Sequence, residues 1–262
     1  MQLSKAFSLL SILSLAPLLN AGQPLETESA RLLRRGVFDV ETTFELQTSS
    51  EGREIAIPLD FEYGISDRTE IAVEPVPYTS IKPRRGHGPS ASGPGDVEVT
   101  LTHLLLSEGS FPALAVAAEV KIPTAKNELI GTGKTDFAGY LILSKRYGRS
   151  DTHLNLAYNV LGSPAGTSLS NTVGYAIAEE FHTSPRLDLV AELTGVTSAT
   201  GEGAEGAPSP VLVAEAPGAE RVVLAGMRYD VSPRLTFAFG ISYDNNHALL
   251  LRPGVTWHLG RH

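Results

Sequence analysis

Residues 54–63 read Glu-Ile-Ala-Ile-Pro-Leu-Asp-Phe-Glu-Tyr, so Ile55, Ile57, Leu59, Phe61 and Tyr63 alternate with polar or small residues. An extended strand sorts such a pattern onto two faces, because its side chains repeat every two residues. The pattern recurs along the chain. Phe38, Val40, Phe44 and Leu46 oppose Asp39, Glu41, Thr43 and Glu45. Leu114, Val116, Val120 and Ile122 oppose Glu119 and Lys121; Leu187, Leu189 and Leu193 oppose Asp188 and Glu192. Leu235, Phe237, Phe239, Ile241 and Tyr243 oppose Thr236, Ser242 and Asp244. Runs of about ten residues with one apolar and one polar face are strands, and about ten is also what a tilted strand needs to cross a bilayer.

Four short stretches punctuate these runs and look like copies of one turn: Tyr63 to Arg68, Tyr147 to Asp151, Phe181 to Arg186 and Tyr229 to Arg234. Each carries an aromatic ring, a Ser three residues on, and then Asp or Pro. The Ser can accept a hydrogen bond from its own turn, and Pro fixes φ for the next position. Connections fall into two sets. Those at about 48–53, 79–95, 123–134, 162–170, 198–219 and 245–247 vary in length; those at 64–67, 107–110, 148–151, 182–185 and 230–233 are all short. This alternation predicts an all-β chain folded as an antiparallel up-and-down transmembrane barrel of about twelve strands. A soluble sandwich gives no reason for it. Tyr63, Tyr147, Phe181 and Tyr229 would then form an aromatic girdle at the periplasmic rim.

Composition agrees with export and insertion. Met1 to Lys5 is short and basic, Ala6 to Leu19 is apolar, and Leu19-Asn20-Ala21 ends in a small residue. This is signal-peptide anatomy over residues 1–21. Residues 22–36 are polar and charged, and are expected as a periplasmic lead-in to a barrel over 37–262. The formal net charge of −8 argues against nucleic-acid binding, which needs a basic surface. Without Cys there is no thiolate metal site and no Cys nucleophile.

In such a barrel the polar face lines the lumen. The inward set is acidic: Asp39, Glu41, Glu45, Glu54, Asp60, Glu62, Glu70, Glu74, Glu98, Glu119, Asp188 and Glu192, against Lys121 and Arg252. The lumen should disfavour anions unless inward Arg and Lys from less regular strands pair with these carboxylates. The basic group Lys82, Arg84, Arg85 and His87 falls in a long loop, where it is solvated or meets lipopolysaccharide phosphates.

The ordered motifs Gly93-Pro94-Gly95-Asp96, Phe111-Pro112-Ala113-Leu114-Ala115, Ile122-Pro123-Thr124, Gly131 to Asp136, Leu143 to Gly148 and His153 to Tyr158 resemble the "MetA-pathway of phenol degradation" family. The resemblance spans nearly the whole mature chain. It implies an outer-membrane barrel of a Gram-negative bacterium that passes small molecules, hydrophobic or aromatic ones among them. It also implies lipid, lipopolysaccharide and the outer-membrane assembly machinery as partners. One departure is the end of the chain, which continues past Trp257 to Gly260-Arg261-His262 where outer-membrane strands usually end in an aromatic.

Enzyme chemistry finds no foothold in the spacing. Gly133-Lys134-Thr135 lacks the Gly that a phosphate loop needs at position 128, which is Glu128. No Gly-x-Ser-x-Gly elbow occurs. His153 and Asn155 share the polar face with no Ser two residues from His153, which disfavours a lipid hydrolase, and the seven His show no metal-ligand spacing. No cofactor and no catalytic or metal-ligating residue is expected. The alternatives are a structural or adhesive barrel with a plugged lumen and, less favoured, an outer-membrane lipid hydrolase.

Overall fold

The computed structural model describes residues 22–84, 89–164, 166, 168–199 and 219–260. Among them there is no helix, and every regular element belongs to one antiparallel sheet. Twelve strands wind up and down, the first four each in two pieces. The first is Phe38–Thr43 with Glu45–Thr48, the second Gly52–Ile57 with Leu59–Ser66. The third is Thr69–Pro75 with Tyr78–Pro83, the fourth Ala91–Gly93 with Val97–Leu106. Ala113–Ile122, Asp136–Tyr147, Ser150–Val160 and Thr172–Ser184 follow as strands five to eight. Leu187–Val196, Glu220–Ser232, Leu235–Asp244 and Leu249–Leu259 complete the set. The first strand pairs with the last, Phe38 opposite Leu259 and Thr43 opposite Gly254, so the sheet closes into a barrel; at the loop end the short piece Ala91–Gly93 has a ladder partner on one side only, Tyr78–Pro83.

The alternation has the consequence the sequence suggested for the outer wall. Leu141, Leu154, Leu156, Tyr158, Ile177, Leu193, Phe237, Phe239 and Ile241 are all exposed. A continuous apolar exterior of this kind belongs against lipid. Three of the four turns are local copies of one another in hydrogen bonding as well as in sequence. Ser66, Ser184 and Ser232 Oγ each accept from the N–H two residues on, at 3.2, 3.3 and 3.3 Å. In the second turn Gly148 takes φ +64 in place of this Ser bond. The turn arginines Arg68, Arg149, Arg186 and Arg234 each lend their carbonyl to a neighbouring strand, to the N–H of Leu104, His182, Asp230 and His258.

The sequence ends the third strand near Pro75 and Pro77 and makes 79–95 a loop; the structure does not. Tyr78–Pro83 continues the strand and pairs with Ala91–Gly93, Thr79 opposite Gly93. Proline removes a ladder N–H without forcing the chain out of the sheet. Four neighbouring strands are interrupted at one height, at Phe44, Pro58, 76–77 and 94–96, with Phe44 N–H donating to Pro253 O and Gly95 N–H to Val76 O. Of the basic loop group, Lys82 and Arg84 are described; Arg85 and His87 lie outside the described residues, as do His262 and most of 198–219.

Trp257 is the only tryptophan, stands on the outer face two residues from the turn end of its strand, and is 42% exposed. In proteoliposomes its fluorescence should be quenched by lipids brominated on the acyl chain and shielded from aqueous iodide. Full iodide quenching with no effect of brominated lipid would contradict the outward, lipid-facing assignment.

Candidate functional site: a lumen held by the N-terminal segment

The sequence places residues 22–36 outside the barrel, as a lead-in. The structure corrects this: the segment turns in at the end bearing the short turns and runs up the inner wall. Gly36 N–H donates to Gly64 O at 2.8 Å, and Gly64 N–H returns a bond to Val37 O at 3.0 Å. Arg35 N–H reaches Asp67 Oδ1 at 3.1 Å and Leu33 N–H reaches Glu70 Oε2 at 2.6 Å. Higher up, Ala30 N–H donates to Ser144 Oγ at 2.8 Å, and Glu28 exchanges two bonds with the Asn155 amide at 2.7 and 2.9 Å. Glu192 then accepts from Glu26 N–H at 3.0 Å, Thr27 N–H at 2.6 Å and the Thr27 hydroxyl. Arg252 pairs with Glu26 and donates to Pro24 O at 3.3 Å.

The physical reason is a match of donors to acceptors. An extended segment carries a row of backbone N–H groups, and each must find a partner when enclosed. The inner wall supplies carboxylates, a hydroxyl and an amide in that order. Leaving one such N–H unmet costs about 1–3 kcal/mol, which favours the paired arrangement over a segment merely caught in the bore. Apolar clusters seat the segment in two places: Ala30 with Ala113, Ala115 and Ile142, and Leu25 with Ala178, Val190 and Leu224. Glycines clear the path. A Cβ at Gly64 would strike the Arg34 carbonyl, and one at Gly226 or Gly240 would press on Pro24.

Charge fastens the segment near its base. Arg31 Nη2 lies 2.7 Å from Glu108 Oε2 and 2.6 Å from Asp151 Oδ1. Partial burial alone would raise the Glu108 carboxyl. The Arg146 N–H, Arg31 and Lys145 outweigh it and hold that carboxyl below the ordinary glutamate value. Its charge is therefore kept as pH falls through the usual glutamate range, and this latch is lost only in stronger acid.

The expected inward residues take distinct places. Asp39 accepts from His258 Nδ1 at 2.8 Å, Glu41 from Thr256 Oγ1 at 2.7 Å, and Glu45 lies 2.9 Å from Arg252 Nε. Glu119 accepts from Tyr140 at 2.9 Å, Lys121 pairs with Asp136, and Asp188 faces His182 Nδ1 at 2.7 Å. Glu54 is half-buried opposite Ile81. In the first four strands like charges stand opposite each other: Asp39 to Glu62, Glu41 to Asp60, Glu74 to Glu98. Farther round, basic groups compensate. Arg146 pairs with Asp151, and Arg228 with Glu180. The sequence reading passed over Arg146 and Arg228, although both occupy inward positions of the alternation. At the turn end Tyr63, Tyr147, Phe181 and Tyr229 are all exposed, with Arg149 5.4 Å from the Phe181 ring and Lys145 5.8 Å from that of Tyr147.

Two clusters resemble reactive sites. Ser144, on the strand beside His153, places its Oγ 2.8 Å from His153 Nδ1, with Glu180 3.5 Å from Nε2. Spacing along one strand could not reveal this cross-strand trio. Its serine receives Ala30 N–H and lies beneath the segment, 1% exposed, so it acts as a seat. Asp151, Glu180 and His182 bring ligand atoms within 4.8 Å of one another, with His182 inside the eighth strand instead of in a turn. Guanidinium groups of Arg31, Arg146 and Arg228 already supply the positive charge there.

Above the segment the lumen remains open as a cavity of about 290 Å³. Glu26 forms part of its floor; Tyr140, Asn155, Asn159, Thr194, Glu220, Ala157, Ala176, Val196 and Val222 are among its walls.

The chain matches no protein-family model and no curated sequence. In three dimensions it is similar to the COG4313 outer membrane channel from Pseudomonas putida F1, with TM-score 0.66 and 10% identity over 88% of this chain and 98% of that one. It is also similar to the KdgM porin, solved with disordered oligogalacturonate (TM-score 0.56, 8% identity, 86% and 99% covered). The translocator domain of the autotransporter NalP from Neisseria meningitidis gives 0.50 at 11% identity, covering 87% and 90%. These likenesses establish the outer-membrane type of barrel.

The chain has no cysteine, so paired replacements can report where the segment lies. In the double variant Ala30→Cys, Ala115→Cys, oxidation should form a disulfide in the membrane-inserted protein, read as a loss of two free thiols. Thiols that stay free under oxidation would place Ala30 away from the inner wall.

Proposed function

We propose that this protein is an outer-membrane channel for small molecules and that residues 23–33 are its gate. The observation that carries the reading is the segment itself, held in the bore mainly by hydrogen bonds and ion pairs below an open cavity. Water can replace hydrogen bonds of this kind, so such a segment can leave. A barrel closed for purely structural ends would be filled by its own wall side chains. The cavity mixes Tyr140 and aliphatic walls with amides and carboxylates. That lining suits small molecules with an apolar body and hydrogen-bonding groups, uncharged or cationic in preference to anionic. The outward face would meet lipid, and Lys82 and Arg84 at the loop end would meet lipopolysaccharide phosphates. On this reading export and the outer-membrane assembly machinery deliver the chain.

Removal of residues 23–33 should turn a mostly closed protein into one with stable conductance steps in a planar bilayer, and the reversal potential in a salt gradient should show preference for cations. A deletion variant that inserts but stays silent would instead support the structural or adhesive barrel. A preference for anions would overturn the acidic-lumen account.

A further inference from the structure

Gly22 stands inside the barrel, against the least compensated part of its wall. A Cβ built on Gly22 would lie 3.3 Å from Glu41 Oε2, so the position is filled by the glycine backbone and the carboxylate beside it. Glu41 also accepts from Thr256 Oγ1 at 2.7 Å. Across the strand pair Glu41 faces Asp60, and Asp60 Oδ1 is buried without a hydrogen bond from the described residues. Neither carboxylate forms an ion pair with Lys, Arg or His among the described residues. Two like charges facing each other across a ladder destabilise it, and a buried carboxylate oxygen without a donor adds to the cost. The site calls for a compact cation with several donors.

The sequence supplies one. Leu19-Asn20-Ala21 ends an export signal with a small residue, and the next residue is Gly22. We propose that the chain is cut between Ala21 and Gly22 and that the α-ammonium group so formed seats in the lumen against Glu41, with Asp60 beside it. Hydrolysis of the Ala21–Gly22 peptide bond consumes one water, leaves a carboxylate on Ala21 and gives Gly22 the amine, which is protonated below its ordinary pKa of about 7.7–8.0. The ammonium brings three donors to a wall rich in acceptors, and charge-assisted bonds of this kind are about twice as strong as neutral ones. Processing would then do more than release the chain from its export signal. It would create the group that anchors the free end of the gate, and only a cut at this bond would put the charge at Glu41. The placement rests on the segment lying in the lumen; its effect on conductance rests in addition on the gate reading.

The first measurement is the intact mass and N-terminal sequence of protein purified from outer membranes. Gly22 is the expected first residue, and any other start overturns the cut. The second is acylation of the α-amine near neutral pH. Labelling of the folded protein should be at least about tenfold slower than in urea, the effect of a one-unit rise in amine pKa. Glu41→Gln should remove most of this protection while the Ala30–Ala115 cross-link still forms. Equal labelling of folded and unfolded protein overturns the seat, even if the cut is at Gly22. A refolded chain with one extra Ala before Gly22 moves the amine by about 3.3–3.6 Å and should lose the protection as well. If removing residues 23–33 leaves conductance unchanged, the gate reading fails, while the labelling result continues to decide the seat.

Discussion

Closure is the constraint on which the rest of this molecule depends. A sheet whose outer face is Leu, Ile, Phe and Tyr can sit in lipid only if no strand edge is left open, since lipid offers nothing to an unpaired N–H or C=O. Pairing of Phe38–Thr43 with the last strand meets that demand. Closure then fixes the sides. With alternate residues turned to lipid, the others must turn inward, and their polarity becomes a property of a confined space. The short connections gather at one end, where Ser bonds brace three of the turns from within and Arg carbonyls tie each hairpin to its neighbour.

A polar interior this narrow must satisfy its own groups. Round part of the wall it does so by pairing, Arg146 with Asp151, Arg228 with Glu180 and Arg252 with Glu45. The first four strands have no such set of arginines, and carboxylates face carboxylates there. The N-terminal segment adds to the pairing, mostly beyond those four strands. It brings Arg31 to Glu108 and Asp151, and its backbone N–H groups to Glu70, Ser144, Asn155 and Glu192. An acidic lumen and a lumen-bound segment are thus one feature seen from two sides.

Much of the barrel was legible in the sequence, because the two signals involved are local. Period-two alternation such as Ile55 to Tyr63 needs no partner to be read, and neither does a turn such as Tyr229 to Arg234. What was missed depends on partners distant in the chain. Residues 22–36 look like a solvated lead-in until Glu192, some 165 residues away, is seen to accept their N–H groups. Ser144 and His153 meet only through the register of neighbouring strands. That Gly64, Gly226 and Gly240 make room shows only once the segment they make room for is in place. Prolines misled in the opposite sense: Pro75 and Pro77 suggested a strand end, whereas aligned interruptions let four strands continue past them.

Which part of such a structure can move follows from where its hydrogen bonds lie. A ladder bond in the wall faces lipid, and breaking it strands both groups in a medium without donors or acceptors. A bond from the N-terminal segment to the wall lies inside the lumen, where water that enters on release can meet both groups, so its net worth is only about 0.5–1.5 kcal/mol, or about 1.5–3 where the acceptor is a carboxylate such as Glu70 or Glu192. Several such bonds hold the segment at rest, yet none prevents its release in the way closure prevents opening of the barrel. Ion pairs change the comparison where they are enclosed: Arg31 meets the buried Asp151, and removing one partner of a buried pair costs about 3–5 kcal/mol, whereas its second partner, Glu108, is exposed and adds little. The bonds of Arg31 to Asp151, of Glu26 to Arg252 and of Thr27 to Glu192 should therefore be the last to yield, and the stretch between Glu28 and Ala30, held by neutral hydrogen bonds to Asn155 and Ser144, the first.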